Sequence, residues 1–160
     1  MRWPTHEVSN QTPPLAGINL FDADLALSRA RLRQPQGEAP NAGRHVPGSA
    51  GAVLSLGATV SDRGPWSGQF QLRHFGPRPL VEDGSVRSRG TTLANLRVGY
   101  RVDGDTRATL DIFNLLDRRA SDIDYFYTSR LPGEPAQGVA GVHSHPAQPR
   151  TVRVGLTRNF

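Results

Sequence analysis

Period-2 alternation of apolar and polar residues, recurring in six separate segments, constrains the fold of this 160-residue chain more than any other feature. Successive side chains of an extended strand point to opposite faces, so such a pattern describes a sheet with two chemically different surfaces. Phe21, Ala23, Leu25 and Leu27 alternate with Asp22, Asp24, Ala26 and Ser28. Ala52, Leu54, Leu56, Ala58 and Val60 alternate with Val53, Ser55, Gly57, Thr59 and Ser61. The same beat runs through Trp66, Gly68, Phe70 and Leu72, and again through Ala94, Leu96, Val98, Tyr100 and Val102. It returns in Ala108, Leu110 and Ile112, and last in Val152, Val154 and Leu156, followed by Phe160. Helical periodicity is scarce. The chain is expected to be all-β, an antiparallel up-and-down meander of about six strands.

The connections alternate in length. Asp62-Arg63-Gly64-Pro65 and Asp103-Gly104-Asp105 are tight polar turns, each with a Gly able to take positive φ. The others are long, near residues 33–48, 76–90 and 118–149, and carry most of the Pro. Short turns therefore gather at one end of the sheet and large loops at the other.

Two folds produce this pattern. In a soluble β-sandwich the apolar face points into a core; in a transmembrane barrel it points at lipid, and the polar face lines a wet lumen. Three features favour the barrel. The apolar residues are small and uniform. The polar face carries Arg97, Arg101, Asp111 and Arg153. Trp66 and Tyr100 lie by the short turns and Phe160 near the chain end, where an interfacial aromatic girdle is expected. A soluble sandwich that binds carbohydrate or protein through its long loops is the alternative.

Composition narrows the function. With no Cys, there is no disulfide scaffold, thiol nucleophile or thiolate metal site. All 19 basic residues are Arg, against 14 acidic ones, a formal charge of +5. They are spread along the chain, densest at Arg29-Ala-Arg31-Leu-Arg33, Arg87-Ser-Arg89 and Arg118-Arg119, at the ends of alternating segments where solvated loops belong. A nucleic-acid surface would group them on one face with aromatics between, so no nucleic-acid partner is expected. The longest uncharged run, 46–61, is broken by Pro, Gly and Ser and is too short for a membrane helix. Residues 1–16 read as a polar leader, the remnant of a preceding strand and turn, without the basic–apolar–small pattern of an export signal.

Catalytic signals are weak. No Gly-x-Ser-x-Gly elbow or phosphate-binding Gly-Lys-Ser/Thr is present, so neither an enzyme nor a cofactor is expected. His143 and His145 are too few to specify a metal site. Asp122 and Asp124, with Tyr125 and Tyr127, are the candidate ligand-binding residues, in the last long loop, where recognition commonly sits on a rigid scaffold.

Several stretches resemble the closing strands of TonB-dependent outer-membrane receptors. They are Phe75-Gly-Pro-Arg-Pro-Leu80, Ser85-Val-Arg-Ser-Arg-Gly-Thr-Thr-Leu93, Asn95-Leu-Arg-Val-Gly-Tyr100 and Leu110-Asp-Ile-Phe-Asn-Leu-Leu-Asp-Arg118. Asp122-Ile-Asp-Tyr-Phe-Tyr127 and Pro149-Arg-Thr-Val-Arg-Val-Gly-Leu156, with Phe160, fit the last outer loop and strand. The resemblance covers residues 17–160. It implies the last six strands of a plugged barrel of about 22, without the plug, the earlier strands or a signal peptide. It further implies an outer-membrane location in a Gram-negative bacterium and energised uptake of a scarce ligand such as a ferric siderophore. Contact with TonB would come only through the missing N-terminal part. Val152, Val154, Leu156 and Phe160 resemble the terminal signal read by the barrel-assembly machinery. The partners implied are outer-membrane lipid, that machinery and the remainder of the receptor. Arg158 departs from the family pattern, which places an aromatic there, but can snorkel to headgroups.

Overall fold

The computed structural model describes residues 19–37 and 42–160, and every regular element among them is a strand. The leader expected over 1–16, the following two residues and part of the first long connection lie outside the described residues. Ten strands form. Six of them, β1 (Asn19–Leu27), β4 (Ala52–Arg63), β5 (Trp66–Phe75), β6 (Thr91–Arg101), β7 (Thr106–Phe113) and β10 (Thr151–Arg158), make one antiparallel sheet in the order β1-β4-β5-β6-β7-β10. The remaining four are paired hairpins inside two of the long connections: β2 (Arg31–Gln36) with β3 (Gly43–His45), and β8 (Ser121–Ser129) with β9 (Val139–Pro146). The expected six-strand meander is therefore present, and the sheet is open at β1 and β10.

The register turns six separate alternations into one surface. Phe21 pairs with Ala58, Ala58 with Phe70, Phe70 with Leu96, Leu96 with Ile112 and Ile112 with Val152. The next row, Leu110 to Val154 and Val98, and the row beyond it, Tyr100–Ala108–Leu156, keep the same side. One face is thus apolar across all six strands. It is also bare at its margins: Phe21, Leu25, Val154 and Leu156 are 77%, 65%, 77% and 73% exposed. Only Leu80 and Ala94 are buried hydrophobics among the described residues. A soluble sandwich needs a second layer against this face, because a core forms by withdrawing apolar area from water. No such layer is present among the described residues, and the architecture is a partial, open barrel wall.

The opposite face is polar and closely fitted. In one row Ser67 pairs with Gly99, Gly99 with Thr109 and Thr109 with Gly155. A Cβ on Gly99 would collide with the Ser67 hydroxyl, and one on Gly155 with that of Thr109. Each hydroxyl lies over a neighbour that has no side chain.

Both short turns close one end. Gly64, at φ +61, and Pro65 link β4 to β5. In the β6–β7 turn the Asp103 carboxylate accepts the backbone N–H groups of Asp105 and Thr106 at 2.9 and 2.8 Å. Those bonds, Asp105's first, hold the Asp103 carboxyl below its ordinary value. The three long connections emerge together at the other end.

Candidate functional site

Two regions concentrate chemistry: the polar face of the sheet and the loop platform above it. On the polar face, cross-strand pairing sets Gln69 beside Arg97, Arg97 beside Asp111, and Asp111 beside Arg153. Arg97 donates from Nε to Asp111 Oδ1 at 2.5 Å, and Arg153 lies over the Phe113 ring, 5.4 Å from its centroid. The Asp111 side chain is 10% exposed against 56% for Arg97, so the carboxylate lies low and the guanidinium lies over it. A recess of about 160 Å³ lies beside this pair.

A larger recess of about 230 Å³ occupies the loop end of the same face. Gln71, Arg73 and Phe75 from β5, Thr91 and Asn95 from β6, and Arg78 from the following loop surround it. Asp122 closes its far side. It offers two guanidinium groups, two amides, two hydroxyls, a carboxylate and an aromatic ring, a set suited to holding a polar ligand through several hydrogen bonds.

The three loops are tied into one platform. His45 of β3 donates its backbone N–H to Glu82 O at 2.9 Å, and Gly48 donates to Pro79 O at 2.8 Å. The middle loop is folded on itself through Asp83, whose carboxylate accepts the Ser85 N–H and hydroxyl at 3.0 and 2.8 Å and is held below its ordinary value by them. Towards the third loop, Arg78 donates to Asp122 O at 3.3 Å and Thr91 donates its hydroxyl to Ser121 O at 3.0 Å.

The base of the third loop turns on Asn114. This residue has φ +48 and is 3% exposed, a conformation Asn tolerates better than most residues. Its side-chain amide donates to Arg118 O and Gln148 O at 2.9 and 3.2 Å, and its Oδ1 accepts the Arg118 N–H at 3.0 Å. Both legs of the loop are thereby gathered. Beside it, Arg150 pairs with Asp117 at 2.6 Å and lowers the Asp117 carboxyl below its ordinary value.

Asp122, Asp124, Tyr125 and Tyr127 all lie on β8, which forms a hairpin with β9 where the sequence suggests an irregular loop. The turn is closed by Glu134, whose carboxylate accepts the Leu131 N–H at 2.6 Å. Because β8 is a strand, the acidic and aromatic residues separate. Asp124 pairs across with Ser144, which donates to it at 2.6 Å; Arg78 stands 4.0 Å away, and Asp124 is buried. Tyr125 and Tyr127 lie on the other side and are 58% and 52% exposed; the Tyr127 ring is stacked on His143 at 3.9 Å. Only Asp122 of the four lines the recess.

Trp66 and Tyr100 pair across β5 and β6 at the short-turn end of the apolar face, their rings 4.7 Å apart. Phe160 lies at the same end, where the Asn159 N–H bonds Asp105 O at 3.0 Å. Val152, Val154 and Leu156 project from β10, an edge of the sheet, on the apolar side. The residues not singled out as candidates are Arg73, which has readable polar-face parity, and Phe75, Arg78, Thr91, Asn95 and Asn114, all inside stretches noted only for resemblance.

No protein-family model and no curated protein sequence matches the chain. Among solved structures it is similar to the ferric-catecholate import receptor Fiu from Escherichia coli K12 in its closed form, with a TM-score of 0.63 and 19% identity. The likeness covers 92% of this chain but 19% of the receptor, so the chain spans about a fifth of that protein's length. The six-strand sheet thus has the fold of a section of a receptor barrel.

Proposed function

We propose that the chain is the C-terminal section of a TonB-dependent outer-membrane receptor that takes up a scarce ligand, a ferric siderophore or a similar chelate. The observation that carries this reading is the bare apolar face running through six strands, set against a polar, ion-paired face with every large loop at one end. Unpaired backbone groups cannot be left in hydrocarbon, so a spanning sheet must close. Six strands are fewer than the eight of the smallest single-chain bacterial barrels. Transport therefore requires the rest of the receptor, including the plug and the part that contacts TonB. The polar face is a segment of the passage wall, and the recess near Arg73 and Arg78 contributes to ligand capture at its mouth. The work is binding and passage, with no covalent step. Val152, Val154, Leu156 and Phe160 serve assembly by presenting an apolar edge strand to the assembly machinery through main-chain pairing.

Because the chain has no Cys, single-site labelling tests this directly. Ala136→Cys in the β8–β9 turn and Asp105→Cys in the β6–β7 turn are placed in the chain within the closed barrel it completes, reconstituted into phosphatidylcholine vesicles. An impermeant maleimide added outside should reach the two sites in opposite vesicle orientations and never both in one oriented population. Equal labelling of both sites, with the chain soluble in the absence of detergent, would sink the membrane reading.

A further inference from the structure

Arg87-Ser-Arg89 and Arg118-Arg119 read in the sequence as separate solvated clusters, but the fold brings them together. Two adjoining recesses of about 390 and 380 Å³ share Gly90, Arg119 and Ala120. Arg87 and Arg89 line the first recess, Arg118 the second, and Arg119 both. Thr92 and Leu116 also line the second. Thr92 falls, by strand parity, on the apolar face, one pair beyond Ala94, and Leu116 is 48% exposed. This recess therefore sits where the apolar face meets the loop platform.

The charges around it are not balanced internally. Among the described residues, no acceptor holds the guanidinium of Arg89 or Arg118, and no carboxylate lines the second recess. Arg87 donates to the Pro77 carbonyl at 3.3 Å, which leaves its charge uncompensated. Two carboxylates are near: Asp117, paired with Arg150, also feels the charge of Arg119, and Asp124, which lines the first recess, accepts from Ser144 with Arg78 4.0 Å away, so the four arginines outnumber them. Clustered arginines of this kind repel one another unless an anion joins them, and the guanidinium fork matches a phosphate group.

We infer that this cluster holds the phosphate of a lipid headgroup, with the acyl chains of that lipid lying on the apolar face below Thr92. The inference rests on the membrane reading above, which alone makes that face hydrocarbon-facing. Charge complementarity, together with the contiguity of cationic recess and apolar strip, favours a phosphorylated lipid over a soluble anion. An arginine near an anionic membrane surface contributes on the order of 1 kcal/mol, so two should matter measurably.

The test uses the full chain within the closed barrel it completes, in phosphatidylcholine vesicles containing a minor fraction of phosphatidic acid, with retained lipid read by native mass spectrometry after detergent extraction. Wild type should retain phosphatidic acid in preference to phosphatidylcholine. R118Q/R119Q should bind it about thirtyfold more weakly. R63Q/R107Q removes the same charge at the opposite end of the sheet and should bind like wild type. R89Q alone should give an intermediate loss and guards against a folding defect in the double variant. Inorganic phosphate at millimolar concentration should not compete; full competition would mean a soluble-phosphate site and overturn the lipid assignment. Equal retention by all variants in a chain that inserts normally overturns this inference alone. A completed barrel that does not insert in these vesicles overturns the membrane reading and this inference with it.

Discussion

Arg97 and Asp111 face each other directly across the seam between β6 and β7, with Arg97 Nε 2.5 Å from Asp111 Oδ1. On its other flank Asp111 is paired in register with Arg153. One carboxylate thus separates two guanidinium groups on three consecutive strands. Asp111→Ala should bring those cations into unscreened opposition and lower the thermal midpoint of the detergent-solubilised chain more than Asp111→Asn, which keeps the acceptor oxygen. The double variant R97Q/D111A should recover part of the loss. A midpoint for Asp111→Ala equal to that of wild type would show that the row carries no structural load.

Leu96 sits mid-strand in the row that joins Phe70 to Ile112. In the closed barrel that the chain completes, Leu96→Arg should lower the folding free energy in phosphatidylcholine vesicles by about 2–4 kcal/mol, the cost of a cation at the bilayer midplane. Gln71→Lys, next along β5 but on the polar face opposite Asn95, should change it by less than about 0.5 kcal/mol. Urea titrations of both variants in the same vesicles give the comparison, and similar penalties would invert the assignment of faces.

Asn114 performs two tasks that substitution can separate. Asn114→Ala loses the bonds to Arg118 and Gln148 and forces a β-carbon into positive φ, and should cost about 1–3 kcal/mol. Asn114→Gly relieves the backbone and should cost less. Denaturant midpoints rank the two. Limited proteolysis between β7 and β8 should follow the same order.

Acid should loosen the same corner. Arg150 holds the Asp117 carboxyl below its ordinary value, so the contribution of this pair is complete above the unfolded value of about 3.9 and fades as pH falls through the lower folded value. Hydrogen exchange at the Asp117 amide, which bonds Asn114 O at 2.8 Å, should quicken in that window, after correction for intrinsic rates. In Asp117→Asn the step should vanish. Asp83 and Asp103 are lowered too, so the difference between the two proteins, rather than the wild-type profile alone, isolates the pair.

The sheet was legible because alternation is a local signal, and each of the six strands carries its own copy of it. Alternation excludes a slip of one residue, which would move the apolar set to the other face, but a slip of two keeps the faces, so the pairing of Leu25 with Leu54 and of Val98 with Leu110 needed the turns and loops as well. The loop platform was not legible in this way. Arg89 and Arg118 come to line adjoining recesses only after β6 and β7 fold as a hairpin, and Asp124 finds Ser144 only once β8 and β9 pair. The opposite placement of Asp124 and Tyr125 follows from strand parity. The Pro and Gly around that segment masked its alternation and made it look irregular.

The row Ser67–Gly99–Thr109–Gly155 sets the relief of the polar face. With every second position empty of a side chain, each hydroxyl can lie down along the sheet, leaving a low, wettable strip across four strands. Alanine at Gly99 or Gly155 would push Ser67 or Thr109 upright. In a closed wall such a change would narrow the bore from within while leaving the apolar surface untouched, a constriction set by a single added methyl group on either glycine.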